Sequence, residues 1–153
     1  MRPQESIVSP LISDTNSKFI LIGEDDKDDQ DLLKEIFNSI DDSFSITFIN
    51  NGQQVLTYLQ NLQEHLPCLI LLDYNMPVLN GADILEALKK DPRYNSIPKI
   101  IWSTSTSESF KKICLKAGAN EYIVKPSNIT ELTEMVRYMI SFCWSLFNIQ
   151  GIF

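Results

Sequence analysis

Histidine is nearly missing from this chain: His65 is the only one, so a metal centre built from several imidazoles is excluded. His65 itself reads as a surface loop residue without a role. Cysteine is scarce as well. Cys68, Cys114 and Cys143 stand far apart, form no CxxC pair and sit among apolar neighbours, which reads as three buried free thiols in a reducing compartment. Positive charge is in short supply, with 13 Lys and Arg against 20 Asp and Glu and a net charge of −7. A nucleic-acid binder would show a basic patch, so that class is set aside, although basic protein partners are not. Long apolar runs are absent too: none approaches the roughly 18 residues that span a bilayer. The N-terminus also lacks the basic start and long apolar stretch of a secretory signal. The expectation is a cytoplasmic protein that is not held in a membrane.

What the chain does contain is alternation. With 153 residues and 44% apolar composition it can bury one sizeable core. Residues 1–17 mix prolines, serines and scattered aliphatics without a period and read as a flexible leader. From Lys18 onward, short apolar runs read as buried strands: 19–22, 45–49, 69–72, 99–102 and 121–124. Between them lie amphipathic stretches. The first carries Leu32, Leu33, Ile36, Phe37 and Ile40 on one stripe. Further helices are expected over 53–62, 83–90 and 107–117, the third ended by Asp91-Pro92 and the fourth closed by Gly118. A last helix begins at Asn128 and places Ile129, Leu132, Val136, Met139, Ile140 and Cys143 inward. Five strands alternating with five helices predict an α/β domain over 18–145, a doubly wound five-stranded parallel sheet with helices on both faces. Residues 146–153 read as an apolar tail that either folds back or meets a partner, a second copy of the chain included.

If the strands are parallel, the polar residues that follow each of them gather at one edge, where ligands bind in open sheets of this kind. Those residues are Glu24, Asp25 and Asp26 after the first strand, Asp73 after the third, Ser103 to Ser105 after the fourth, and Lys125-Pro126 after the fifth. Crowded carboxylates resist ionising together, and a divalent cation relieves them. An all-oxygen donor set favours a hard ion, Mg2+ with Mn2+ able to substitute. A lysine opposite would meet phosphate oxygens, and a carboxylate beside the ion could act as a nucleophile toward phosphorus. The bland readings are plain. Asp26 caps a helix, Asp73 closes a strand before a turn, Asn75 favours that turn, Lys125 is a solvated lysine, and Ser105 and Thr106 are loop residues.

Taken together, the segments ILIGEDD (20–26), LILLDYNMPVLNG (69–81), KIIWSTS (99–105) and AGANEYIVKP (117–126) resemble the four signature blocks of two-component response-regulator receiver domains. The resemblance runs from about Lys18 to about Ser145 and suits a stand-alone receiver of the chemotaxis kind. It implies the flavodoxin-like strand order 2-1-3-4-5. It implies that Asp73 accepts a phosphoryl group from a sensor histidine kinase or a phosphotransfer protein. Asp25 would bind Mg2+, Glu24 would hold its water, and Asn75 would lend a backbone carbonyl. Ser103 would contact the phosphate and Lys125 would pair with it or with Asp73. Tyr122 matches the aromatic switch position, and the bond before Pro126 would be cis. Output would pass to a downstream protein, with no nucleic acid and no catalysis beyond gain and loss of the phosphoryl group. Three positions depart from the pattern: Gly23, expected to weaken packing at the end of the first strand, bulky Trp102, and Thr104 in place of a smaller residue. The competing readings are a Mg2+-dependent phosphohydrolase, a flavodoxin-like electron carrier, and a scaffold that is never phosphorylated.

Overall fold

A computed structural model describes residues 18–152, with side chains described through Trp144. The leader read over 1–17 and the side chains of the tail lie outside the described residues. Five strands, β1 (Lys18–Gly23), β2 (Phe44–Ile49), β3 (Leu69–Asp73), β4 (Lys99–Ser103) and β5 (Glu121–Val124), form one parallel sheet in the order β2-β1-β3-β4-β5. Helices α1 (Lys27–Ile40), α2 (Gly52–Asn61), α3 (Gly81–Leu88), α4 (Glu108–Lys116) and α5 (Ile129–Ile152) follow the strands in turn. A short 3-10 turn, Pro92–Tyr94, stands before β4 and has no counterpart in the sequence reading. Among the described residues no helix is long and apolar enough to cross a membrane.

The period of two along each strand divides the core between the two faces of the sheet. Ile20, Ile22, Leu69, Leu71, Ile100 and Trp102 face α1 and α5, meeting Leu33, Phe37, Val136 and Met139. Leu21, Ile70, Leu72 and Ile101 face the other way and meet Val55, Leu59, Ile84 and Leu85. Both faces are covered, so the strands read as unbroken apolar runs rather than alternating ones. Helix starts are fixed by side-chain caps that satisfy free N–H groups. Asp26 accepts from Asp29 N, Asn51 from Gln54 N, and Ser107 from Phe110 N, while Asn80 and Asp83 bond each other reciprocally.

The expectation for the cysteines is overturned. Cys68 and Cys143 are not free thiols; they are joined as a disulfide across 75 residues, with Cα atoms 5.3 Å apart. The reason is topological. α5 leaves β5 at the carboxyl edge of the sheet and runs back along α1, so that Cys143 arrives beside Cys68 just ahead of β3. Spacing in the chain carries no trace of that return path. Cys114 alone matches the reading: it is free and buried, and burial pushes its thiol up to about 11. The backbone of α5 continues through Ile152, so that of residues 146–152 belongs to the same helix.

Closing so long a loop restricts the unfolded chain, a contribution of about 2–4 kcal/mol. Urea unfolding of Cys143→Ser, and of the unaltered protein under dithiothreitol, should each show that loss relative to the oxidised protein. Coincident transitions in all three samples would mean that the two sulfurs do not bond in solution.

Candidate functional site

Parallel pairing brings the strand ends into line. Gly23 lies beside Leu72, Asp73 beside Trp102, and Ser103 beside Val124. The next residues, Glu24 and Lys125, therefore emerge at the same edge as Asp73. There they border an open cleft of about 760 Å3, lined by Glu24, Asp25, Asp26, Lys27, Asp29, Asp73, Asn75, Thr104, Lys125 and Pro126. The convergence expected from the sequence is thus present for Glu24, Asp25, Asp73, Asn75 and Lys125.

Asp73 is nearly buried and its two oxygens are divided between partners. Oδ1 accepts from the backbone N–H of Asn75 at 3.0 Å, and Oδ2 accepts from Lys125 Nζ at 2.8 Å. Glu24 is fully buried; Oε2 accepts from Asp26 N at 2.9 Å and Oε1 from Lys125 at 3.2 Å. One carboxylate oxygen from each of Glu24, Asp25 and Asp73 lies within 4.8 Å of the others. Burial, aided by the charge of Asp73, pushes the Glu24 carboxyl up to about 7 against the pull of Asp26 N–H and Lys125. Burial works against the charge on Lys125, but hydrogen bonds to Asp73 and Asp29 and the charges of Asp73 and Glu24 outweigh it and raise its pKa. The lysine stays an ammonium ion. Its Nζ also stands 4.6 Å from the centre of the Trp102 ring, a cation–π contact from below.

The donor set fits a hard divalent ion. All ligating atoms are oxygens, three acidic side chains converge, and the Lys125 ammonium is paired with two of them. Glu24, Asp25 and Asp73 would hold such an ion, and Asn75 borders the same cleft.

Ser103 and Tyr122 lie to one side. Ser103 is fully buried and does not line the cleft; its Oγ accepts from Ser105 N at 3.1 Å. Tyr122 is tucked against the same segment, its hydroxyl donating to Ser105 O at 2.8 Å. Ser105, read from sequence as plain loop, therefore ties the two hydroxyls together. The Lys125–Pro126 bond is trans, as no cis peptide bond occurs among the described residues, and trans is the lower-energy form ahead of proline.

The loop after Asp73 is braced from several sides. A Cβ on Gly23 would stand 2.8 Å from Met76 Cε, so the missing side chain is replaced by the methionine and packing is kept, contrary to expectation. Leu79 N–H reaches Pro77 O at 2.9 Å across Val78, which adopts φ 74°, a γ-turn. Gly52 N–H binds the same Pro77 carbonyl at 3.1 Å, and a Cβ there would collide with the Leu79 backbone. His65 is exposed and its ring packs 5.3 Å from Phe19.

The family model of the response regulator receiver domain matches residues 20–137. The chain belongs to the response-regulator receiver family. Among its relatives, response regulator Rcp1 of Synechocystis sp. is 30% identical over 129 residues, covering 82% of this chain and 88% of Rcp1. The phosphorylated cyanobacterial phytochrome response regulator RcpA superposes with a TM-score of 0.76 at 30% identity, over 85% of this chain and 96% of RcpA. The Mn2+-bound form of Rcp1 gives a TM-score of 0.72 at 30% identity, over 82% and 93% of the two chains. The receiver fold, with strand order 2-1-3-4-5, is therefore shared with these proteins.

Sequence reasoning missed two partners in this receiver. Asp29 Oδ2 accepts from Lys125 Nζ at 3.0 Å, and Trp102 lies beneath that lysine with its own buried indole N–H bonded to nothing among the described residues. Asp29 lies in the first turn of α1, three residues after its Asp26 cap and close in sequence to the strand-end acids. That was the available signal.

A proton and a dication compete for the buried Glu24 carboxylate. It is mostly protonated below about pH 7 and ionised above. Mg2+ affinity measured by calorimetry should therefore rise about tenfold from one pH unit below that point to one above, and Glu24→Gln should flatten the rise. A flat profile in the unaltered protein would mean that Glu24 takes no part in holding the ion.

Proposed function

We propose that this chain acts as a response-regulator receiver whose Asp73 takes a phosphoryl group from a phosphohistidine on a sensor kinase or phosphotransfer protein. The single observation that carries the reading is the Lys125 ammonium 2.8 Å from Asp73 Oδ2, facing three acidic oxygens within 4.8 Å of one another. A bound Mg2+, or Mn2+ as in the Rcp1 structure, would supply charge neutralisation for the transferring group. The chain's own residues do the rest. An Asp73 oxygen, aimed by Asn75 N–H, attacks phosphorus; the P–N bond to the donor breaks, and the imidazole leaves with the bonding electron pair. Lys125 offsets charge on the phosphoryl oxygens. Phosphorylation of the relative RcpA supports the same acceptor chemistry here.

Response to the phosphate would run through Ser105. Its N–H is held by the Ser103 hydroxyl and its carbonyl by the Tyr122 hydroxyl. Drawing the Ser103 hydroxyl toward phosphate would release the first bond and shift the balance of a pre-existing equilibrium. Output would be a protein contact, with the downstream target or a second copy as partner, in the cytoplasm. No catalysis beyond self-phosphorylation and self-dephosphorylation is assigned. A phosphohydrolase of the aspartyl-phosphate kind would need an acid two residues after the nucleophile, where Asn75 stands. A flavodoxin-like carrier would need a phosphate loop without the Glu24-Asp25-Asp26 charge. The intact Asp73–Lys125 pair weighs against a scaffold that is never phosphorylated.

Incubation with acetyl phosphate and Mg2+ should add one labile phosphate by intact mass, dependent on the metal and lost in Asp73→Asn. Sustained phosphoester turnover would favour the hydrolase, and no adduct from acetyl phosphate or any histidine kinase would favour the scaffold. Lys125→Ala should still bind Mg2+ yet lose the phosphorylation-driven change in Trp fluorescence. A normal change in that variant would remove the role assigned to the lysine.

A further inference from the structure

Lys125 is more tightly held than one acceptor residue requires. An ammonium group has three N–H donors, and all three have a carboxylate: Asp73 at 2.8 Å, Asp29 at 3.0 Å and Glu24 at 3.2 Å. The Trp102 ring lies under the same nitrogen, and Lys125 N–H is pinned to Ser103 O at 2.7 Å. No donor is left over for an incoming phosphoryl oxygen.

The three carboxylates are not equivalent. Glu24 and Asp73 belong to the trio that can hold a metal ion, and Asp29 does not. Asp29 sits in the first turn of α1, where its N–H is fixed by the Asp26 cap and its side chain is 35% exposed. Its contact with this site is the bond to Lys125. Being partly open to water, it can also give that bond up at little cost.

Resting on the receiver reading above, we propose that Asp29 is a positioning residue that competes with the phosphoryl group for Lys125. It occupies one lysine donor in the resting protein and must release it as the phosphoryl oxygens arrive, so it slows phosphoryl acceptance. Loss of Asp29 does not set the lysine adrift, because Asp73, Glu24, the Trp102 ring and the Ser103 carbonyl still orient it.

The test compares initial rates of Mg2+-dependent phosphorylation by acetyl phosphate in four variants of the full chain. Asp29→Ala should be faster than the unaltered protein by about two- to fivefold, the scale of a partly exposed ion pair. Asp29→Asn, which keeps a weaker acceptor, should fall between, and Asp29→Glu should restore the original rate. Asp28→Ala is the control for charge alone: Asp28 is exposed, lies in the same helical turn and makes no contact with Lys125. It should leave the rate at saturating Mg2+ nearly unchanged. The affinity for fluoroberyllate with Mg2+, which mimics a bound phosphoryl group without transfer, should rise in Asp29→Ala and not in Asp28→Ala. Equal rates in Asp29→Ala and the unaltered protein, slower transfer in Asp29→Ala, or equal acceleration by Asp28→Ala would each overturn the role of Asp29 and leave the receiver reading standing. If the unaltered protein forms no adduct and binds no fluoroberyllate, both fall together.

Discussion

Everything at the carboxyl edge of this sheet depends on one positive charge among carboxylates. Lys125 meets Asp73, Asp29 and Glu24 within 3.2 Å, and among the described residues no other ammonium is paired with those acids. Without it, Asp73 and Glu24 would repel each other in surroundings where water cannot screen them. The arrangement is balanced for exchange rather than for rest. In the proposed switch a divalent ion takes over Glu24 from the lysine, and the phosphoryl group displaces Asp29 from it. Burial keeps Glu24 poised near neutrality, so small changes in what occupies the cleft change its charge.

The fold serves that balance by rigidity. β1 and β3 are buried on both faces, so the residues that end them are placed by close packing and not by the loops. The loops are then braced individually: Gln30 holds the Glu24 carbonyl and Asn50, Gly52 holds Pro77, and Met76 fills the space above Gly23. At the opposite end of the sheet, the Cys68–Cys143 bond fastens α5 to the start of β3, with Trp144 stacked edge-on against Phe44 beside it. Precision at the carboxyl edge and fastening at the far end are thus separate features of one core.

Much of the fold was legible because buried parallel strands leave an unmistakable trace, a short apolar run bounded by polar residues. The five strands were found within one or two residues, since their ends coincide with abrupt changes from apolar to polar residues, as at Leu72-Asp73, Trp102-Ser103 and Val124-Lys125. Helix starts were off by one or two where Gly52 and Gly81 begin helices that the reading placed later, at Gln53 and Asp83. Glycine looked like a turn signal there, whereas close approach to Leu79 and Tyr74 is what each position needs. The acidic site was legible for the same reason as the strands. Parallel topology sends every strand end to one edge, so polarity at those ends reports a common pocket.

The order of the amino acids by itself determined the apolar periods, the strand-end acids and the lysine, because these are local patterns with one stable way to bury their faces. Only the tertiary structure decided the pairings made across the fold: Cys68 with Cys143, Asp29 and Trp102 with Lys125, and Ser105 with Tyr122. Each of these joins groups whose separation in space is set by how whole helices and strands pack. Distance along the chain is silent on such contacts, and composition is silent on which of several acids will reach a given ammonium.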